Sequence, residues 1–560
     1  MKNNIIFKIL FFLIILSGCN DYLEEENPGN IVAEEYYLTT EGYRSLMNAT
    51  HSTLRDVYRE NPFIFAAGTD MYVRSARSTN TDGVGLHGYA TLGPGDPVVT
   101  DFYITLYEAI QLTNNALYFN EITAEVPELS QYEGEARFLR AYYYFLLVQT
   151  YGGVAIVTHR IDQVETEFPR NSEEEVYDFI VSEMELALSL VNNEPVGEGR
   201  VTKRVLQHFL AKVHLTRGYQ SYAVADDFQK AASYADEAIA GQGLIPEFDE
   251  VFAPGNEENE EILYAVQYSS TSLSAPDNGG HFQSLPFGPY MGGSEFRGNP
   301  YRSYDLLPSW YVYSLYSEQD ERFEGTFMLE NHFYRLADNT QLGSYFDYYT
   351  TDPADRDELY VGFYFPKPWE VADTAAWRAV NPEKRAGTTI VPPTPEDWEG
   401  RSGGLLDFMT PAVKKFDDPN ALFSGNGSST RDIFLARLAE TYLIAAEAYL
   451  QAGSPGTAID RINVVRRRAA REESQAASME VTAIDLELIL DERARELVGE
   501  YHRWFDLART GTLVERAITY NNGISEGDFI GPDGHPKLLR PIPSASIALN
   551  DAEIEQNPGY

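Results

Sequence analysis

The chain has 560 residues, with 85 acidic side chains against 43 Lys and Arg and a formal net charge of −42. Such a balance repels nucleic acid and anionic lipid surfaces, so neither is an expected partner of the folded part. The single cysteine excludes an internal disulfide, a redox CxxC pair and a four-cysteine zinc site; the length exceeds one compact core, so one large body or two intimately packed lobes are expected.

The cysteine, Cys19, closes the first element. Lys2 and Lys8 give a positive start, and Ile9 to Leu16 is an unbroken apolar run. That run is far short of the roughly 20 residues a bilayer span needs, but it suits the h-region of a secretory signal. "LSGC", residues 16 to 19, resembles the bacterial lipobox, in which cleavage precedes the cysteine and its sulfur carries a diacylglycerol. Residues 1–18 are therefore expected to be a lipoprotein signal peptide and Cys19 a lipid anchor, since two or three acyl chains hold a membrane far more firmly than one. Asp21, Glu24, Glu25 and Glu26 follow at once.

Onward, helical and irregular stretches alternate. Residues 61–100 are rich in Gly, Thr, Asp and Pro and read as a long loop. "GVGLHG" (Gly83, Gly85, Gly88) satisfies GxGxxG, but no strand precedes it, so no dinucleotide site is expected. Apolar residues at i, i+3, i+4 and i+7 predict helices over 101–122, 131–151, 173–192, 201–222 and 228–241. Residues 242–430 hold much of the Gly, Pro and aromatic content, with strand-like runs "EILYAVQY" and "YVGFYF". Loops this long are uncommon in compact domains and usually bind something. "DPADRDEL" (352–359) lacks the glycine and alternating ligands of a calcium loop and reads as a solvated turn.

Helical periodicity returns at 432–452, 455–471 and 484–510. Ala446, Tyr449, Gly453 and Ala458 have the spacing of a tetratricopeptide unit, with small residues where two helices touch and a glycine in the turn. In 488–510 one apolar stripe is predicted, from Leu490, Ala494, Leu497, Tyr501, Phe505 and Ala508. Glu492 with Arg495, Glu500 with Arg503 and Asp506 with Arg509 read as i,i+3 pairs, and Gly511 as the stop. His208 and His214 stand six apart and share no helix face. His502 and the charged set Glu492, Arg493, Glu496, Arg503 and Asp506 read as structural, and no catalytic or metal-ligating constellation is expected.

Four stretches carry a resemblance. "EGEARFLRAYYYFLLVQTYGGV" (133–154), "SSTRDIFLARLAETYLIAAEAYLQAG" (428–453), "ILDERARELVGEYHRWFDLARTG" (489–511) and "LLRPIPSASIALNDAEIEQNPGY" (538–560) resemble, in this order, segments of the SusD/RagB family of surface nutrient-binding lipoproteins from Bacteroidetes. The resemblance implies a mostly α fold, a tetratricopeptide-like helical-repeat scaffold with long irregular loops and a few short strands. On it, residues 19–560 form one nutrient-binding domain, with helical parts at about 36–241 and 431–515 and a loop-rich insert at about 242–430. It implies no enzymatic activity and no cofactor. It also implies a TonB-dependent SusC-type transporter as partner, an oligosaccharide or in some members a peptide as ligand, and a place on the outer membrane facing the exterior.

Sugar rings stack their C–H faces on aromatic side chains, while Asn, Asp, Arg and His bond the hydroxyls. Two loops offer that mixture, 70–90 and 281–305, and pocket sites are built from it. The expected ligand contacts are Tyr72, Arg74, Asn80, His87, Tyr89, Phe287, Tyr290, Phe296, Arg297 and Tyr301. Trp310 reads as core, and Trp369, Trp377 and Trp398 as core or site alike. Competing readings keep the fold with a peptide ligand, make the chain a surface glycoside hydrolase, or leave it a scaffold without a small ligand.

Overall fold

The computed structural model describes residues 33–60, 62–123, 126–195, 197–269, 280–288, 303–335, 341–345, 359–370, 374–391, 410–418 and 428–560. The scaffold is an array of helices that pack on their sequence neighbours: α1 (Thr40–Tyr58), α2 (Pro97–Ile122), α3 (Leu129–Tyr151), α4 (Glu173–Leu190), α5 (Lys203–Gly218) and α6 (Asp227–Ile239). Each start has a local cause. Thr39 caps α1 by accepting from Gly42 N. Asp96 caps α2 by accepting from Val98 N and Val99 N, ahead of Pro97. Ser172 and Glu175 form a capping box on α4. Helix α3 is buried on all sides from Phe138 to Val148, as expected of a helix with neighbours all round.

The array resumes after the insert. Helix α6 packs on α7 (Leu438–Gln451), which packs on α8 (Pro455–Arg468). Gly453 turns between α7 and α8 at φ +78°, while Ala446 and Ala458 are fully buried where the pair closes. This is the hairpin that the Ala446–Ala458 spacing predicts, and the chain as a whole is mostly helical with few short strands.

Two predicted helices differ in the structure. Residues 432–452 are not helical throughout, because Ile433–Arg437 is a strand. It pairs antiparallel with Ile262–Val266 and runs directly into α7, tying the start of the insert to its end. All five residues are buried, and a short apolar run buried on both faces carries no period that separates strand from helix. Residues 484–510 form two helices, α9 (Leu486–Glu496) and α10 (Arg503–Arg509). Between them Gly499 sits at φ +78°, its N–H donating to Tyr72 Oη at 2.7 Å. The predicted pairs Glu492–Arg495 and Asp506–Arg509 form, but Glu500–Arg503 does not. Glu500 accepts instead from Lys415 and Arg437, and Arg503 donates to Asp70.

The break lets the charged residues of this segment turn inward. Arg437 reaches Glu261, Glu496 and Glu500 at 3.1, 2.7 and 2.7 Å, and Arg322 reaches Asp320, Glu492 and Glu496 at 2.7–2.8 Å. Burial opposes the charge on Glu496, but Arg468, Arg437 and Arg322 together hold it well below the usual carboxylate range. Buried pairs of this kind add little net stability, yet losing one partner is expensive. They act here as ties: Arg322 and Lys415 belong to the insert, Glu492 to Glu500 to the C-terminal helices. The second sheet, Glu330–Arg335 with Gln341–Tyr345, Leu359–Tyr364 and Thr389–Ile390, lies inside the insert.

Candidate ligand-binding surface

The loop 70–90 is anchored deep. Asp70 is fully buried and accepts from Arg503 at 2.8 and 2.5 Å and from Arg516 at 2.9 Å. Burial raises its carboxyl, and the two guanidiniums outweigh this and hold it below its ordinary value. Two residues on, Tyr72–Val73 pairs with Leu307–Pro308, which brings the two predicted loops side by side.

This anchoring decides the fate of the predicted contacts. Tyr72 is buried, its ring 5.1 Å from Phe287, which is buried as well. Tyr89 is fully buried at φ +59°. Its ring stacks on Phe529 at 4.0 Å, and its hydroxyl donates to Gly68 O and accepts from Trp504 Nε1. Behind it Arg540, buried, lies 4.3 Å from the Trp504 ring and 5.3 Å from that of Tyr89. Tyr72, Tyr89 and Phe287 are thus core residues rather than open stacking platforms. The apolar run Phe63–Ala67 and the Asp70 ion pairs draw the loop inward. His87 packs edge-on to Phe63, and burial, helped by Arg74 and Arg540, pushes it down to about 3, so it is neutral.

Arg74 and Asn80 stay near the surface. Arg74 is half-buried and donates to the carbonyls of Ser78 and Asn80 at 3.3 and 2.6 Å. Asn80, also half-buried, accepts from Asp82 N. Asp305 takes hydrogen bonds from Ser78 and Ser303 and lies 4.0 Å from Arg74. Arg74, Asn80, Ser303 and the buried Asp305 form a hydrogen-bonding corner, and in sequence the aromatic-rich segment 289–302 directly precedes Ser303. Tyr290, Phe296, Arg297 and Tyr301 belong to that segment and lie outside the described residues, as do Trp398 and most of 352–359.

Of the tryptophans, Trp310 is half-buried against the main core, as predicted. Trp369 packs on Phe323 at 5.1 Å. Trp377 stacks on Tyr364 at 4.0 Å and has the Arg385 guanidinium 4.3 Å from its ring, so it is engaged within the chain. The histidines are structural: His208 contacts Thr441 and Glu440, His214 contacts Asp227, and His502 lies between Lys212 and Glu440.

A second concave surface has no counterpart among the predicted contacts. A groove of about 660 Å³ runs between α2, residues 153–170 and the C-terminal segment 542–554, with Tyr103, Tyr107 and Val154 among its lining residues. Its sequence signal is an excess of apolar residues on α2. Ile104, Tyr118 and Ile122 remain exposed after one full face of that helix is buried.

Comparison with known proteins places this architecture. A family model described as "SusD family" matches residues 402–560, and one described as "Starch-binding associating with outer membrane" matches residues 21–215. SusD-like protein P2 of Formosa agariphila is 24% identical, with 99% of each chain covered. Starch-binding protein SusD of Bacteroides thetaiotaomicron is 24% identical, covering 77% of this chain and 73% of its own. Among solved structures, a laminarin-binding SusD-like protein superposes with a TM-score of 0.67 at 21% identity, covering 93% of this chain and 99% of its own. A SusD homologue from Bacteroides thetaiotaomicron gives 0.69 at 18%, covering 94% and 98%.

Proposed function

The chain belongs to the SusD/RagB family, and on that premise we propose that it is an outer-membrane surface lipoprotein that binds nutrient oligosaccharides and delivers them to a TonB-dependent SusC-type transporter. The observation that carries the reading is the likeness to a relative named for starch binding, over 77% of this chain, and to one named for laminarin binding, over 93%, joined to the corner of Arg74, Asn80, Ser303 and Asp305, whose Ser303 directly follows the aromatic-rich segment 289–302 in sequence. There Arg74 and Asn80, held from behind by the buried Asp305, would bond sugar hydroxyls, and Tyr290 or Tyr301 would supply the ring face. Binding without catalysis suits the chemistry of the conspicuous carboxylates. Glu492, Glu496, Glu500 and Asp506 are buried, and their arginine partners lower each carboxyl against the effect of burial, so none is poised to donate a proton.

The test is a glycan array probed with residues 20–560, followed by the Tyr290→Ala variant on the best ligand. Base stacking on an aromatic ring is worth ~1–3 kcal/mol, an upper guide for a sugar, so about a tenfold loss of affinity is expected with unchanged melting. Arrays that show no glycan but a set of basic peptides would instead support the peptide reading, which the charge of −42 favours. Release of reducing ends by the purified chain would replace binding by hydrolysis.

A further inference from the structure

We infer that the groove beside α2 is a second ligand site, one that takes a small uncharged amphiphile: an aryl or alkyl body with N–H or O–H donors along one edge. The groove shares no residue with the corner of Arg74, Asn80, Ser303 and Asp305, so this site stands apart from the saccharide reading. Its walls are fastened to each other within the chain. Thr166 donates to Asp551 Oδ2 at 2.6 Å, Asp551 N donates to Thr166 O at 2.6 Å, and Asn550 both accepts from Phe168 N and donates to Phe168 O. Tyr107 Oη, on α2, donates to Ala155 O at 2.9 Å and ties the first wall to the floor. A preformed concavity of about 660 Å³ has the size of a small-molecule site.

The lining is polar along one element and hydrocarbon along the others. Val154, Val157 and Ile161 line one wall, and Ile542, Leu549 and Ile554 the other. Helix α2 brings Tyr103 and Tyr107, their ring centroids 4.9 Å apart, and then Glu108, Gln111 and Asn115. Offsets of 3 and 7 put these last three on one helix face. Among the described residues the side chains of Glu108 and Asn115 have no hydrogen bond within the chain, and Gln111 only accepts, from Ile161 N at 3.4 Å. A free saccharide carries hydroxyls on every edge and would turn some of them against hydrocarbon without partners. A wholly apolar body would instead strip water from Gln111 and Asn115 and return nothing. A molecule that is polar along one edge and apolar elsewhere satisfies both sides.

Charge sets the polar edge. The cation among the described lining residues, Arg170, spends its donors on the carbonyls of Tyr151, Gly153 and Glu555 and on Asn557. Glu108 and Glu165 also line the groove, and of these Glu165 meets His159 Nε2 at 3.0 Å. An anionic head would find no counter-ion here and would face two carboxylates. A neutral N–H or O–H donor would bond the Glu108 carboxylate directly, and hydrogen bonds to an ionised acceptor are the stronger kind.

The experiment uses residues 20–560, which keep every described residue and bring no acyl chains or detergent to take up the probe. Two dyes share one aryl body: phenylnaphthylamine is neutral with a single N–H, and anilinonaphthalene sulfonate adds an anionic group. Fluorescence titration should give one saturable site for the neutral dye and binding at least about tenfold weaker for the sulfonate. Leu549→Glu should weaken the neutral dye about tenfold, and Glu108→Lys should close the gap between the two dyes. Both side chains are exposed, so melting should stay at the wild-type value, and Tyr290→Ala should leave dye binding unchanged. The inference is overturned if the neutral dye shows no saturable binding, if the sulfonate binds as tightly, or if Tyr290→Ala abolishes the signal. Displacement of the dye by a laminarin or starch oligosaccharide would give the groove to a sugar and overturn it too. Should Leu549→Glu melt early, Leu549→Ser decides, because this side chain is 79% exposed and has little packing to lose: unchanged affinity overturns the groove, and loss supports it.

Discussion

Tyr89 shows how one residue's role turns on burial. Its ring fills the core against Phe529 and Trp504, so Tyr89→Ala removes a full aromatic side chain from a packed site. The expected cost is about 3–5 kcal/mol in denaturant unfolding, in contrast to the neutral melting expected of Tyr290→Ala. A Tyr89→Ala protein as stable as wild type would place that ring outside the core. His281 makes a second residue-scale case. Its Nε2–H donates to Arg431 O at 2.8 Å and its Nδ1 accepts from Gln283 N at 3.2 Å, so the neutral ring satisfies both neighbours and a second proton would break one bond. Burial pushes it down to about 4. Its folded value is thus below the ordinary 6.5, and the unfolded chain binds the extra proton first. Stability is full above pH 6.5 and falls as pH drops from there toward about 4, by about 1.4 kcal/mol per pH unit. His87 and His502, both held at about 3, act in the same direction. Urea unfolding between pH 7 and pH 4.5 should show the decline, and His281→Gln should flatten part of it. Asp506, held at about 2, contributes stability above its ordinary 3.8 that is lost as pH falls from there toward 2.

At the scale of elements, two glycines with the same backbone angle carry different loads. Gly453 and Gly499 both sit at φ +78°. A Cβ on Gly453 would meet nothing within 4 Å, whereas one on Gly499 would lie 2.7 Å from the Phe416 ring. Gly453→Ala therefore costs about 1–2 kcal/mol for the left-handed conformation alone. Gly499→Ala adds the clash and should lower the melting temperature distinctly further, while loss of the inward turn would also disturb the ion pairs of Glu496 and Glu500. Equal melting of the two variants would mean that the α9–α10 break does not depend on that contact. The same break explains why the stripe from Leu490 to Ala508 was legible as apolar but not as interrupted. Its residues are buried almost throughout, yet the chain reaches those positions through a turn rather than one continuous helix.

For the molecule as a whole, attachment is expected to depend on one atom. If the acyl chains are on Cys19 Sγ, Cys19→Ala abolishes labelling by a palmitate analogue and moves the chain from the membrane fraction to the soluble one in cells lacking the transporter. A membrane-bound variant under those conditions would assign attachment to another feature. No helix among the described residues is long and apolar enough to cross a membrane.

Periodicity alone located most scaffold helices to within a few residues, because their apolar positions recur at 3.6 and their caps are local: Asp96, Ser172 and the turn at Gly453 need nothing distant. The four motif stretches likewise identified the family and with it the mostly helical architecture. What tertiary structure decided is which face of each segment meets water. Asp70 finds Arg503 and Arg516 more than four hundred positions away, and that pairing draws Tyr72, His87 and Tyr89 of a candidate ligand loop into the core, while Arg74 and Asn80 stay near the surface. Ile433–Arg437 becomes a strand only because Ile262–Val266 lies beside it. The groove beside α2 exists only where the C-terminal segment returns across a helix that has buried its other face. Local sequence fixes dihedral preference and period; burial is set by partners distant in the chain, and burial separates a core aromatic from a binding one.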